Sequence, residues 1–167
     1  PLQAAAGVMP TLDTIRRAVA RAEPRVHGFW REISRRHGAH ILAGTTLVVR
    51  RGKIYNRALL YGPGGELRWW QDKVFPGGPE LRILDLASGS PADVATIEIQ
   101  GLELAVTICR DTYHSIWERR LPEADLWIDV KANELPYPPD RYAGALPARL
   151  PNSPIDRGLT VSLVGTM

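Results

Sequence analysis

The chain has 167 residues, 44% of them hydrophobic and 23% charged, the balance of a globular protein able to bury a core. Its 21 Lys and Arg against 18 Asp and Glu leave a net charge of +3, too small and too evenly spread to predict nucleic-acid binding. No apolar run approaches the roughly 18 residues of a membrane span and no signal peptide opens the chain, while a single cysteine, Cys109, excludes an internal disulfide and makes a reducing, cytoplasmic setting the expectation.

Thr11 to His37 reads as helix, with Leu12, Ile15, Val19, Phe29, Trp30 and Ile33 at roughly helical spacing between Arg and Glu. Thr11 is placed to cap its start, and Gly38, after Arg35, Arg36 and His37, to end it. Pro24 lacks an N–H and clashes with the preceding turn, which predicts two helices rather than one. His40–Val49, Ile54–Tyr61 and Glu66–Lys73 follow as strands, joined by turns at Arg51-Gly52-Lys53 and Gly62-Pro63-Gly64-Gly65, and form a meander. Trp69 and Trp70 adjoin on the third strand and must face opposite sides, with core packing the expected role.

Phe75 to Asp93 is rich in Gly, Pro and Ser without a period and reads as a structured loop. Ala95–Ile99 and Leu102–Ile108 form a hairpin around Gln100-Gly101, and the second arm runs directly into Cys109. A short helix is expected over His114–Leu121, a strand over Leu126–Val130, a helix over Arg141–Leu150 and a strand over Leu159–Val164. An antiparallel run followed by alternating helices and strands predicts an α/β class, a mixed sheet with helices on its faces.

Cys109 ends an apolar strand and precedes the polar turn Arg110-Asp111-Thr112-Tyr113-His114. A strand-to-helix turn exposes a side chain and aims helix N–H groups at it, which favours a thiolate; a buried, inert thiol is the competing reading. Lys73 ends another strand and enters the Pro/Gly loop, where an ammonium beside a thiolate would activate it and steady an oxyanion. Glu80, in the same loop, would orient that lysine or relay a proton. Asp72 and Asp111 read as ion-pairing or capping residues. His114 admits a Cys–His dyad but has no evident third orienting group. One cysteine and four scattered histidines match no zinc spacing, so no zinc site is expected.

Read together, Ile41-Leu42-Ala43-Gly44-Thr45, Gly52-Lys53-Ile54-Tyr55-Asn56-Arg57-Ala58, Gly64-Gly65-Glu66-Leu67 leading to Asp72-Lys73-Val74-Phe75-Pro76, and Val106-Thr107-Ile108-Cys109-Arg110-Asp111 resemble the nitrilase superfamily of carbon–nitrogen hydrolases. The likeness spans about residues 28 to 135, and more weakly the tail from Ala145. Its most specific piece is Ile-Cys-Arg-Asp, whose cysteine lies thirty-six residues after Lys73. The resemblance implies an α–β–β–α sandwich and a Glu–Lys–Cys triad that hydrolyses a small amide, nitrile or carbamoyl compound through a cysteine thioester. It implies catalytic roles for Cys109, Lys73 and Glu80, with the Arg110 N–H as an oxyanion donor. Tyr113, His114, Asn133 and Glu134 are substrate-contact candidates, and Trp117 a further lining residue. The implied partners are a small-molecule substrate and other copies of the chain, with no nucleic acid and no membrane, and the resemblance implies no metal or organic cofactor.

The family's general-base Glu precedes the first long helix, and here Glu23 and Glu32 lie inside that helix and are poor substitutes. The expectation is one hydrolase domain over residues 1–167, truncated at both ends. A non-catalytic scaffold or fragment of this fold and an acyl-transferring relative are the alternatives.

Overall fold

A computed structural model describes residues 10–121, 123–133 and 144–164. Helix α1 spans Leu12–His37. The Thr11 hydroxyl accepts the Thr14 N–H at 3.2 Å, and Gly38 closes the helix in the left-handed conformation its missing Cβ permits. Contrary to the expected break, α1 runs through Pro24. Pro24 and Ala20, whose carbonyl the proline leaves unpaired, both lie on the exposed face, so water can satisfy that carbonyl. On either side of the proline the helix is anchored to the sheet beneath: Glu23 pairs with Arg50, and the Tyr61 hydroxyl lies 2.5 Å from His27 Nδ1.

Strands β1 (Ile41–Arg50), β2 (Lys53–Tyr61) and β3 (Leu67–Asp72) form an antiparallel sheet in that order. A second sheet runs β4 (Ile97–Ile99), β5 (Leu102–Ile108), β6 (Leu126–Asn133) and β7 (Gly158–Val164), antiparallel at its first pair and parallel thereafter. The hairpins turn at Arg51-Gly52 and Gln100-Gly101, where all four residues have positive φ, the geometry of a tight two-residue turn.

Alternation along the strands assigns the layers. Val106, Ile128 and Val130 turn toward Leu42 and Trp69 of the first sheet, so the two sheets pack face to face. Ala105 and Trp127 turn the other way, into a core with Trp117, Leu121, Leu146 and Ile155. Trp117 and Leu121 come from α3 (Ile116–Arg120) and its end, and Leu146 from α4 (Leu146–Arg149). With α1 on the outer face of the first sheet, the order is helix, sheet, sheet, helix.

Several elements differ from expectation. The Phe75–Asp93 loop contains α2, a helix over Gly78–Leu84, and a single-turn 3₁₀ helix at Pro91–Asp93. The expected turn after Cys109 is a 3₁₀ turn, Cys109–Tyr113, and the short helix expected over His114–Leu121 is α3, which starts two residues later, at Ile116. The helix expected over Arg141–Leu150 is α-helical only over Leu146–Arg149, its first part lying outside the described residues. Trp69 packs between the sheets as expected, but Trp70 is 46% exposed, with the Arg57 guanidinium 3.8 Å over its ring.

Candidate active site

Strand β5 ends at Ile108, and Cys109 opens the 3₁₀ turn with φ +53°. A left-handed backbone costs a residue bearing a Cβ about 1–2 kcal/mol. It places the half-buried thiol on a sharp elbow at the carboxyl end of a strand whose partners β6 and β7 are parallel. In open α/β sheets that end is where ligands bind. The turn is held from below by a buried network: Thr107 Oγ1 to Thr112 Oγ1 at 2.8 Å and the Trp127 indole N–H to Thr107 Oγ1 at 2.9 Å.

Lys73 directly follows β3 and is 4% exposed. Its backbone is clamped on both sides, its N–H donating to the Asn56 carbonyl and its carbonyl accepting from Gly89, each at 2.8 Å. Gly89 has no room for a side chain, since a Cβ there would stand 2.7 Å from the Asp72 carbonyl oxygen. The Lys73 ammonium reaches both Glu80 oxygens, at 2.8 and 2.7 Å. Glu80 sits in the first turn of α2 and reaches back to accept the Gly77 N–H at 2.5 Å and the Asn56 amide at 3.3 Å. Burial pushes its carboxyl up, but the Gly77 N–H and the Lys73 ammonium more than offset that and hold it below the usual value. The structure thus joins Lys73 to Glu80, as an ammonium–carboxylate pair.

Asp111 links this lysine to the cysteine elbow. Its side chain, fully buried, accepts the Val74 N–H at 3.1 Å and the Phe75 N–H at 2.7 Å, the two residues that follow Lys73. Its own carbonyl accepts the Trp117 indole N–H at 2.7 Å. Burial raises the Asp111 carboxyl to about 6 against the opposing pull of the Phe75 and Val74 N–H groups and the Lys73 charge. Two segments far apart in sequence, each ending a strand in a different sheet, are therefore tied together through one carboxylate. Asp72, in contrast, forms the expected ion pair, with Arg57 at 2.7 and 2.9 Å.

Of the other sequence candidates, Arg110 is exposed and Tyr113 half-buried on the 3₁₀ turn. The His114 ring stacks on Phe75 at 3.7 Å between centroids, and burial, then Arg110 and Arg149, lower its pKa. Asn133 ends β6, paired through its backbone with Val164; Glu134 lies outside the described residues. Trp117 is completely buried in the core rather than lining a pocket. Glu23 and Glu32 are engaged with arginines on and beneath α1, Glu23 with Arg50 and Glu32 with Arg35. Among the described residues no group of three His, Cys, Asp or Glu is placed to hold a metal ion, and no helix is long and apolar enough to cross a membrane.

Sequence reasoning passed over three residues at this site. Asn56 carries no local signal. Asp129 and Lys131 do: two charges alternating in an otherwise apolar strand are rare in a core. Asp129 is fully buried and Lys131 5% exposed, and their charged atoms lie 2.8 Å apart behind the Cys109 elbow.

A mixed α/β sandwich with a cysteine on a strained strand-end elbow defines the class. No family model and no curated protein matches the chain by sequence. Solved structures do match. A carbon–nitrogen hydrolase from Helicobacter pylori G27 superposes with a TM-score of 0.63 at 13% identity, over 71% of this chain and 41% of that one. An amidase from Nesterenkonia sp. matches with a TM-score of 0.65 at 19% identity, over 90% of this chain and 70% of that one. A mutant of the Nesterenkonia sp. AN1 amidase carrying a Michael adduct of acrylamide at its active-site cysteine matches with a TM-score of 0.67, also at 19% identity. That amidase is described as a member of the nitrilase superfamily. The chain has the nitrilase-superfamily fold, and it spans less than half of the Helicobacter enzyme and about 70% of the Nesterenkonia one.

Proposed function

We propose that the chain carries the lysine–cysteine machinery of a hydrolase of non-peptide carbon–nitrogen bonds, acting on a small amide, nitrile or carbamoyl compound. The observation that carries this reading is the Asp111 tie, which fastens the backbone just after Lys73 to the Cys109 elbow. An inert core cysteine would need neither the left-handed backbone nor a buried carboxylate bridging to a lysine-bearing strand end.

In the proposed reaction the Cys109 thiolate attacks the carbonyl or nitrile carbon. For an amide, the Lys73 ammonium and the Arg110 N–H stabilise the oxyanion of the tetrahedral intermediate. The carbon–nitrogen bond breaks, the nitrogen takes up the proton that the thiol gave up on forming the thiolate and leaves as ammonia or amine, and a thioester remains on Cys109. Water then adds to the thioester, releasing the acid and restoring the thiol. Glu80, charged at neutral pH, keeps Lys73 aimed through both of its oxygens.

Acrylamide tests the reading, because it carries both an amide and an electrophilic carbon. Cys109 of the folded protein should add acrylamide faster than free cysteine does, as followed by intact mass. Lys73→Ala should slow the addition on the order of tenfold, about 1.4 kcal/mol of transition-state stabilisation. An unchanged rate in that variant would sink the pairing of Lys73 with Cys109. Added amine acceptors separate hydrolysis from acyl transfer, by whether acid or the new amide accumulates.

A further inference from the structure

Beneath the elbow lies the pair that the proposed chemistry leaves unused. Asp129 and Lys131 alternate on β6 and project to the same face as Trp127, the face that carries Thr107 on β5. Thr107 is in register with Asp129 and Ile108 with Val130, so Lys131 stands beside Cys109, one step past the end of β5. Its ammonium is 2.8 Å from Asp129 Oδ2, 3.5 Å from the Cys109 carbonyl oxygen, and 4.9 Å over the Tyr113 ring. Burial raises the Asp129 carboxyl above its usual value, against the opposing pull of the Lys131 charge, the Thr112 hydroxyl and the Cys109 N–H.

The pair therefore backs the elbow, with the cation against the Cys109 C=O and Asp129 holding the cation from the neighbouring position on β6. As a stabilising device the pair is poorly chosen: both side chains are almost fully desolvated, and apolar residues of the same volume serve a core at least as well. As a device for holding one residue in a costly backbone conformation it is well placed, because strain at a site persists only where the surroundings over-determine it.

We infer that Lys131, held by Asp129, is a positioning residue that fixes the Cys109 elbow for attack on an amide carbon. The inference rests on Cys109 being the nucleophile. Lys131→Met alone strands a buried carboxylate and can unfold the protein, so the deciding variant is Asp129→Asn with Lys131→Met, which removes both charges at nearly constant volume.

Two reagents are compared on wild type and on each folded variant: acrylamide, which must be seated and aligned, and methyl methanethiosulfonate, a small thiol reagent with no amide to seat. The double variant should add acrylamide on the order of tenfold more slowly, the worth of one charge-assisted contact, while its reaction with the thiosulfonate stays within about twofold of wild type. A purely structural pair predicts otherwise. Unchanged acrylamide addition, or an equal slowing with both reagents, overturns the inference. A wild-type Cys109 that adds acrylamide no faster than free cysteine does fails differently, because it removes the nucleophile itself.

Discussion

Asp111 does its work as a single side chain, and its buried carboxyl makes the stability of the site depend on pH. With a folded value of about 6 against the ordinary 3.8, the native state binds a proton between those values and the unfolded chain does not. Its stabilising contribution is therefore fully present below about pH 4 and is lost as pH rises through 6, a swing of about 3 kcal/mol. Glu80, held below its usual value, acts in the opposite sense and loses stability as pH falls through its folded value. His27 and His114, both lowered first by burial, also lose stability as pH falls. Urea unfolding of wild type and Asp111→Asn across pH 4 to 7 isolates the one group. Wild type should weaken relative to the variant as pH rises, and parallel curves would refute the assignment. In the sequence Asp111 was legible only as a pairing or capping residue. Its partners, the N–H groups of Val74 and Phe75, are thirty-seven and thirty-six positions away, and no local pattern connects them.

Among the elements, α1 yields the cleanest test. Its interior proline is exposed, and the contacts of Glu23 and His27 with the sheet bracket it. Alanine restores one backbone hydrogen bond and removes the ring clash, a gain of up to about 3 kcal/mol in helix propensity, less up to about 1 kcal/mol because the unfolded chain becomes freer. Pro24→Ala should thus raise the unfolding free energy by about 2 kcal/mol in urea titration. A destabilised variant would mean that a kink at Pro24 is needed for α1 to follow the sheet. The hairpins were readable because Arg51-Gly52 and Gln100-Gly101 carry turn chemistry between apolar runs. Helix α2 was not: Gly77-Gly78-Pro79 looks like loop, and what organises the first turn is the Glu80 side chain reaching back to the Gly77 N–H while held by Lys73 from β3's end. The later start of α3 was equally hidden, since the His114 ring stacks on Phe75, brought in from the other segment.

Across the whole molecule, the two sheets are joined by Val106, Ile128 and Val130 against Leu42 and Trp69, and by the Gln71 amide donating to the Val106 carbonyl at 3.0 Å. That interface also sets the spacing between the strand ends that carry Lys73 and Cys109. Ile128→Ala opens a void between the sheets and should cost about 2–4 kcal/mol. The urea midpoint should fall with an unchanged slope, because the same surface is exposed on unfolding. A loss under 1 kcal/mol would mean that the sheets can close on the gap.

By itself the sequence determined the elements with strong local periods or turn residues: the ends and caps of α1, though not its passage through Pro24, the two hairpins, the apolar β5 ending on Cys109 and the strand holding Trp127. It also marked Cys109, Lys73 and Glu80 as a set, through the resemblance and their order along the chain. Only the tertiary structure decided that Glu80 grips Lys73, that Asp111 ties the lysine's strand end to the cysteine elbow, and that Asp129 and Lys131 stand behind it. The physical reason is range: periodicity and capping act within a few residues, whereas these contacts form between segments that meet only when the two sheets close on their shared apolar faces.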